Sequence, residues 1–141
     1  MTEHPSRSVA SASLSGVVFT VVAAGAIVLS GAIATFGSLV LRARLHLGHW
    51  PRPQSGNPFT GTYSPSSIDP KSFGLHCEVA YLFTLAAFYV VPVAAVTLVL
   101  SHLVPRTRPP AALTALFLCA AALAAGLIVL DPGGFAHWFA D

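Results

Sequence analysis

The stretch TVVAAGAIVLSGAIATFGSLVL, residues 20–41, contains no Asp, Glu, Lys, Arg or His. Two further stretches share this property, residues 79–101 and 109–130. Each is at least as long as the roughly 20 apolar residues that cross a hydrocarbon core about 30 Å thick. The whole chain of 141 residues is 55% hydrophobic and only 9% charged, whereas soluble domains carry about 25% charged residues. The sequence therefore predicts an all-α, polytopic integral membrane protein with three transmembrane helices.

The three uncharged stretches divide the chain into a single membrane domain, residues 1–141. We predict transmembrane helices near residues 14–45, 72–104 and 110–130. Pro92, near the centre of the second helix, lacks a backbone donor, which predicts a kink there. Many prolines in the loop 50–71 exclude long regular structure. The tail 131–141 is aromatic, and three of its side chains are expected to lie in the membrane interface: Phe135, Trp138 and Phe139.

Small side chains recur at helical spacing in two of the predicted helices. The first set is Ala26, Ser30, Ala34 and Ser38, and the second is Ala115, Cys119, Ala122 and Gly126. Such stripes let a second helix backbone approach closely. We expect Ala34 and Ala122 to be buried against helix backbones, either in this chain or in a partner. We expect no base near the serines of the first stripe, so neither is a candidate nucleophile.

Three crossings place the loop 50–71 and the C-terminus on the same side of the membrane. That side collects four histidines and both tryptophans: His46, His49, His76, His137, Trp50 and Trp138. If the first helix continues, Arg42, His46 and His49 share one face. Some of these histidines could hold haem, a metal or a pigment. Arg, His and Trp also anchor helices at the headgroup level, and we prefer that interpretation.

Most chemical functions lack the residues that they need. No ionisable residue lies at hydrocarbon depth, where proton relays and ion-coupled transporters carry one. No acid, base or nucleophile is positioned for catalysis, so we expect no enzyme activity, no cofactor and no metal. The few basic residues make no nucleic-acid patch. Lys and Arg number four on the histidine-rich side and three on the other, which does not fix the orientation of the chain.

The leading hypothesis is a small non-catalytic accessory or structural subunit of a larger membrane complex. Its partners would be the lipid bilayer and other membrane subunits, which contact the small stripes and the aromatic residues. One alternative is an interfacial haem, metal or pigment protein that uses His46, His49, His76 or His137. A second alternative is a homo-oligomeric channel or carrier. The bias towards Ala, Gly, Pro and Arg favours a bacterial chain from a GC-rich genome, and hence a bacterial inner membrane.

Overall fold

A computed structural model of the chain describes residues 5–50, 70–131 and 134. The helices are α1 (Pro5–Leu47), α2 (Pro70–Leu103), a short 3-10 helix (Pro105–Thr107) and α3 (Ala111–Leu130). The described ranges contain no β-strand. Three helical stretches are long and apolar enough to cross a membrane: Ser13–Leu45, Gly74–Leu103 and Ala111–Leu130. The predicted all-helical fold with three candidate membrane spans is therefore confirmed.

The C-terminal end of α1 follows from local chemistry. The described part of the helix begins at Pro5, earlier than the predicted residue 14. It ends at Leu47, where Gly48 adopts a positive φ of 71°. The Gly48 N–H donates to the Arg44 carbonyl oxygen at 3.0 Å. A left-handed glycine of this kind is a common helix terminator.

The central helix is α1, which packs against both α2 and α3, whereas the backbones of α2 and α3 have few close approaches to each other. Two contacts show that α2 runs antiparallel to α1. Near one end of the pair Ser38 lies against His76, and further along α1 Gly25 lies against Ala94. The ring of Phe117 from α3 also reaches Gly25. All three helices therefore meet around one point of α1.

A heptad pattern of buried and half-buried residues runs along α1, with steps that alternate between four and three residues. We call it the α1 seam, and it consists of Val18, Val22, Gly25, Leu29, Ala32, Phe36, Leu39 and Ala43. Ala32 and Phe36 are half-buried, and the other members are buried. Alternating steps keep side chains on one helical face, as in left-handed helix pairs.

At two glycines of α1 an added side chain would meet α2. A Cβ atom built on Gly25 would lie 2.5 Å from the Ala94 Cβ atom, too close for a real contact. A Cβ atom on Gly31 would collide with the ring of Phe83. A Cβ atom on Gly37 would meet nothing within 4 Å. Gly25 thus allows α2 to approach α1 closely, Gly31 makes room for the Phe83 ring, and Gly37 does neither.

The predicted stripe on α1 does not coincide with the α1 seam. Ala26 is buried, Ser30 is half-buried, and Ala34 is exposed. Residues four apart turn by about 40° relative to each other, so the stripe drifts by about 120° over three steps. Within this chain Ala34 is therefore not buried against a helix. Its contact with a partner stays a prediction.

The stripe on α3 keeps to one face because its steps alternate between four and three. That face points away from α1, since Phe117 and Ala120 are the buried residues of α3. Ala122 is exposed, and a Cβ atom on Gly126 would meet nothing within 4 Å. Within this chain Ala122 is therefore not buried either. Its contact with a partner stays a prediction.

The connection between α2 and α3 is closed by its own hydrogen bonds. Thr107 is buried, and both its N–H and its hydroxyl donate to the Val104 carbonyl oxygen at 2.9 Å. The buried Ser101 hydroxyl donates to the Leu98 carbonyl oxygen at 2.6 Å. Arg108 Nη2 donates to the His102 carbonyl oxygen at 3.4 Å. Of these acceptors, the His102 carbonyl belongs to the last turn of α2, where carbonyls have no helical donor, and Arg108 satisfies it.

Candidate functional site

Polar side chains meet where α1 ends and α2 begins. Arg42 Nη1 donates to the Ser72 carbonyl oxygen at 3.0 Å, and Nη2 donates to the Ser72 hydroxyl at 2.7 Å. One turn further into the helix pair, Ser38 Oγ lies 3.0 Å from His76 Nε2. We call Ser38, Arg42, Ser72 and His76 the Arg42 cluster. Each helix contributes two residues that are four apart in sequence. Because the helices are antiparallel, Arg42 pairs with Ser72 and Ser38 pairs with His76.

The expectation that no base lies near the stripe serines is wrong for Ser38. Sequence spacing could not show this contact because Ser38 and His76 are 38 residues apart. Ser38 Oγ also lies 2.9 Å from the Thr35 carbonyl oxygen and donates to it. A hydroxyl has only one proton, so while that bond is made His76 Nε2–H is the donor to Ser38 Oγ. Helix α1 thus provides an acceptor for the imidazole of α2.

A serine beside a histidine is only part of a nucleophilic site. Such a site also needs a group that orients the base and donors for an oxyanion. In the described part of the chain no carboxylate is hydrogen-bonded to the His76 ring, and the nearby Arg42 cation is bound to Ser72. The hydrogen bonds of the Arg42 cluster connect α1 to α2.

A second group of contacts lies just beyond the cluster, at the end of α1. The guanidinium carbon of Arg44 lies 4.0 Å from the centroid of the Trp50 ring, which is a cation–π contact. His49 Nδ1 donates to the Trp50 carbonyl oxygen at 2.9 Å. Trp50 itself remains 44% exposed. This end of α1 therefore presents an exposed aromatic ring with a cation held against one of its faces.

The predicted face of Arg42, His46 and His49 does not form. Helix α1 ends at Leu47, and the left-handed backbone of Gly48 turns His49 out of the helical register. Gly48, directly before His49, is the residue in the sequence that indicates this helix end, because glycine is common just after a helix end. His46 lies on α1, but its side chain is outside what the structure describes.

The histidine-rich side is described only in part. Among the described residues no three His, Cys, Asp or Glu side chains come together as a metal site. The residues 51–69 and 135–141 lie outside the described ranges. The predicted contact residues Phe135, Trp138 and Phe139, and the candidate ligand His137, therefore lie outside them as well. Predicted cofactor binding by the histidines stays a prediction.

The residues that join α1 to α2 left a weak signal in the sequence. Ser38 and Arg42 are four apart, as are Ser72 and His76, and each pair flanks an uncharged stretch. The sequence does not show that α1 and α2 pack side by side, nor that Gly25 and Gly31 face α2, since no spacing rule singles these two out from the other helical glycines.

Comparisons with known protein families, with curated proteins and with solved structures find no significant match.

Proposed function

We propose that this chain is a small non-catalytic subunit of a larger membrane protein assembly in a bacterial inner membrane. The open small-residue face of α3 carries the proposal. Its members are Ala115, Cys119, Ala122 and Gly126. The first three are exposed, and Gly126 has open space where a side chain would be. The chain itself provides no described helix to cover this face, since α1 packs on the opposite side of α3.

The physics of the bilayer makes such a face suitable for another protein. Lipid tails are as apolar as leucine, so helices in a membrane associate through close packing and hydrogen bonds rather than through hydrophobic burial. A smooth face of small side chains lets a second backbone approach closely. The lack of ionisable residues at hydrocarbon depth supports a packing role over transport or catalysis.

The aromatic side of the molecule is the second proposed contact surface. We place the loop 50–71 and the C-terminus on the same side of the membrane, with Trp50 and Trp138 available to neighbouring subunits. Aromatic side chains dominate contact energies where one end is apolar and the other is wet. Replacing Trp50 with Ala should therefore weaken association more than replacing Arg106 on the opposite side.

The test is purification of the tagged chain from its native membranes in a mild detergent, followed by mass analysis and an absorption spectrum. We expect other membrane chains in fixed stoichiometry and no Soret or pigment band. Ala122→Leu should reduce their recovery at least about tenfold, because overpacking a close contact is costly. Leu123→Ala, at an exposed neighbouring position, is the matched control and should change nothing.

Two results would overturn the proposal. One is a chain that purifies alone in every mild detergent, at a mass that fits copies of itself only. The other is full recovery of partner chains with Ala122→Leu. A stoichiometric Soret band would favour the cofactor alternative instead.

A further inference from the structure

An aromatic pair stands on the outward face of α2. The rings of Phe88 and Tyr89 meet edge to face, with centroids 5.5 Å apart and planes at 89°. Phe88 is 74% exposed and Tyr89 is 65% exposed, so neither ring is covered by α1 or α3. The hydroxyl of Tyr89 makes no hydrogen bond to any residue that the structure describes. The pair thus presents an unused donor to the surroundings of the helix.

These surroundings are the middle of the candidate span. Tyr89 lies 11 residues after Glu78 and 13 residues before His102, the nearest Asp, Glu, Lys, Arg or His on either side. At about 1.5 Å per residue these distances are roughly 16 Å and 20 Å along the helix. A tyrosine side chain is too short to bring its hydroxyl to either interface. The donor therefore lies in hydrocarbon, which offers no acceptor.

An acceptor that has lost its usual partner lies one residue away. In an unbroken helix the Phe88 carbonyl oxygen would accept the N–H of residue 92, but that residue is Pro92 and has no N–H. Pro92 is itself exposed, on the same side of α2 as Phe88. One face of α2 therefore carries both a donor without an acceptor and a carbonyl without its helical donor.

We propose that a second copy of this chain covers this face of α2. Copies inserted in the same orientation are related by a two-fold axis along the membrane normal, which places identical residues at identical depth. Each Tyr89 hydroxyl then donates to the Phe88 carbonyl oxygen of the other copy, and both groups are satisfied. A two-fold interface requires a self-complementary surface, and the adjacent donor and acceptor provide one. This interface uses α2 and leaves the small-residue face of α3 free.

The test measures dimerisation of the purified protein in liposomes of neutral lipid. Protein labelled at its N-terminus with donor or acceptor dye is mixed, and energy transfer is followed as the lipid-to-protein ratio rises. Tyr89→Phe removes only the hydroxyl, and Pro92→Ala restores the helical donor to the Phe88 carbonyl. Each should weaken dimerisation by roughly tenfold. Combining them should weaken it little further, because each deletes the same pair of hydrogen bonds.

Tyr81→Phe is the matched control, because Tyr81 is an exposed tyrosine of the same helix near its end. We expect it to leave dimerisation unchanged, since water and headgroups can replace its contacts. A second measurement does not depend on hydrogen bonds. Phe88→Cys in a Cys119→Ser background should form disulfide-linked dimers on mild oxidation, and Val129→Cys on α3 should not.

A wild-type protein that stays monomeric at every lipid ratio would overturn the proposal, as would full dimerisation of Tyr89→Phe. Disulfide-linked dimers of Val129→Cys but not of Phe88→Cys would overturn it as well. These measurements use the purified chain alone. Failure to recover partner subunits from native membranes would therefore leave them unaffected, and their failure would leave the proposed subunit role standing.

Discussion

At the scale of single residues, two glycines of α1 matter because α2 occupies the space that their side chains would fill. Gly25 faces a Cβ atom that is fixed to the backbone of α2, whereas Gly31 faces a ring that can turn about its own bonds. The same added methyl group should therefore cost more at Gly25. The sequence shows five other glycines in or directly next to these helices with nothing to rank them, because the ranking depends on which helix face meets a neighbouring helix.

Gly25→Ala should lower the free energy of unfolding by about 1–3 kcal/mol relative to Gly37→Ala, because α2 must move away from α1 to admit the methyl group. Gly37 has open space at the same position, so its change tests only the effect of alanine in a helix. Unfolding by a denaturing detergent, followed by circular dichroism, measures both. Equal stability of the two variants would mean that α1 and α2 are not in close contact at Gly25.

Arg42 acts through the shape of its guanidinium group. Two of its nitrogens bond one serine at once, and the single ammonium of lysine cannot reproduce that fork. Arg42→Lys should therefore destabilise the helix pair by about 1 kcal/mol, since the group is only half-buried. Ser72→Ala should cost less, because the backbone carbonyl of residue 72 still accepts. The same unfolding experiment gives the order, and a costlier Ser72→Ala would contradict the fork geometry.

At the scale of elements, the sequence predicted the helices well and their contact faces poorly. Uncharged stretches locate the spans because the bilayer excludes charge wherever it meets the chain. A helix that is apolar all round gives no such contrast between its faces. The predicted stripe on α1 began at the buried Ala26, beside the α1 seam, and had reached an exposed position by Ala34, because steps of four overshoot the helical turn.

Two alanines of that stripe make a matched pair. Ala26→Leu should destabilise the isolated chain by about 1–3 kcal/mol, because Ala26 is buried among the helices. Ala34→Leu should leave the isolated chain unchanged, because Ala34 is exposed there. Thermal unfolding in detergent checks both. If Ala34→Leu alone disturbs the native assembly, a partner covers that part of α1. Equal effects on the isolated chain would contradict the drift of the stripe.

At the scale of the whole molecule, α1 holds the other two helices together. The Arg42 cluster and the glycine contacts tie it to α2, and Phe117 ties it to α3. This central place could not be predicted from the sequence, in which all three helices are similarly apolar. The same is true of the Arg42 cluster, since its two halves lie on different helices and only their pairing brings them together.

The central place of α1 predicts how fragments behave. Spin labels at Leu45 and Leu75, both exposed near the Arg42 cluster, should give the same narrow distance in the fragment 1–108 as in the full chain. Labels at Leu75 and Leu130 should give a broad distribution in the fragment 70–141. That fragment lacks α1, and the backbones of its two helices have few close approaches to each other. A narrow distance in the second fragment would show that α2 and α3 pair without α1.

The central position of α1 also has a consequence in time. A chain is synthesised from its N-terminus, so α1 enters the bilayer before either of its neighbours exists. During that interval the α1 seam, including the bare backbone at Gly25, faces lipid. The later helices then replace lipid along a surface that is already in place, first α2 and afterwards α3. A substitution on the seam would thus act twice, on the finished protein and on the capture of each helix as it emerges from the ribosome.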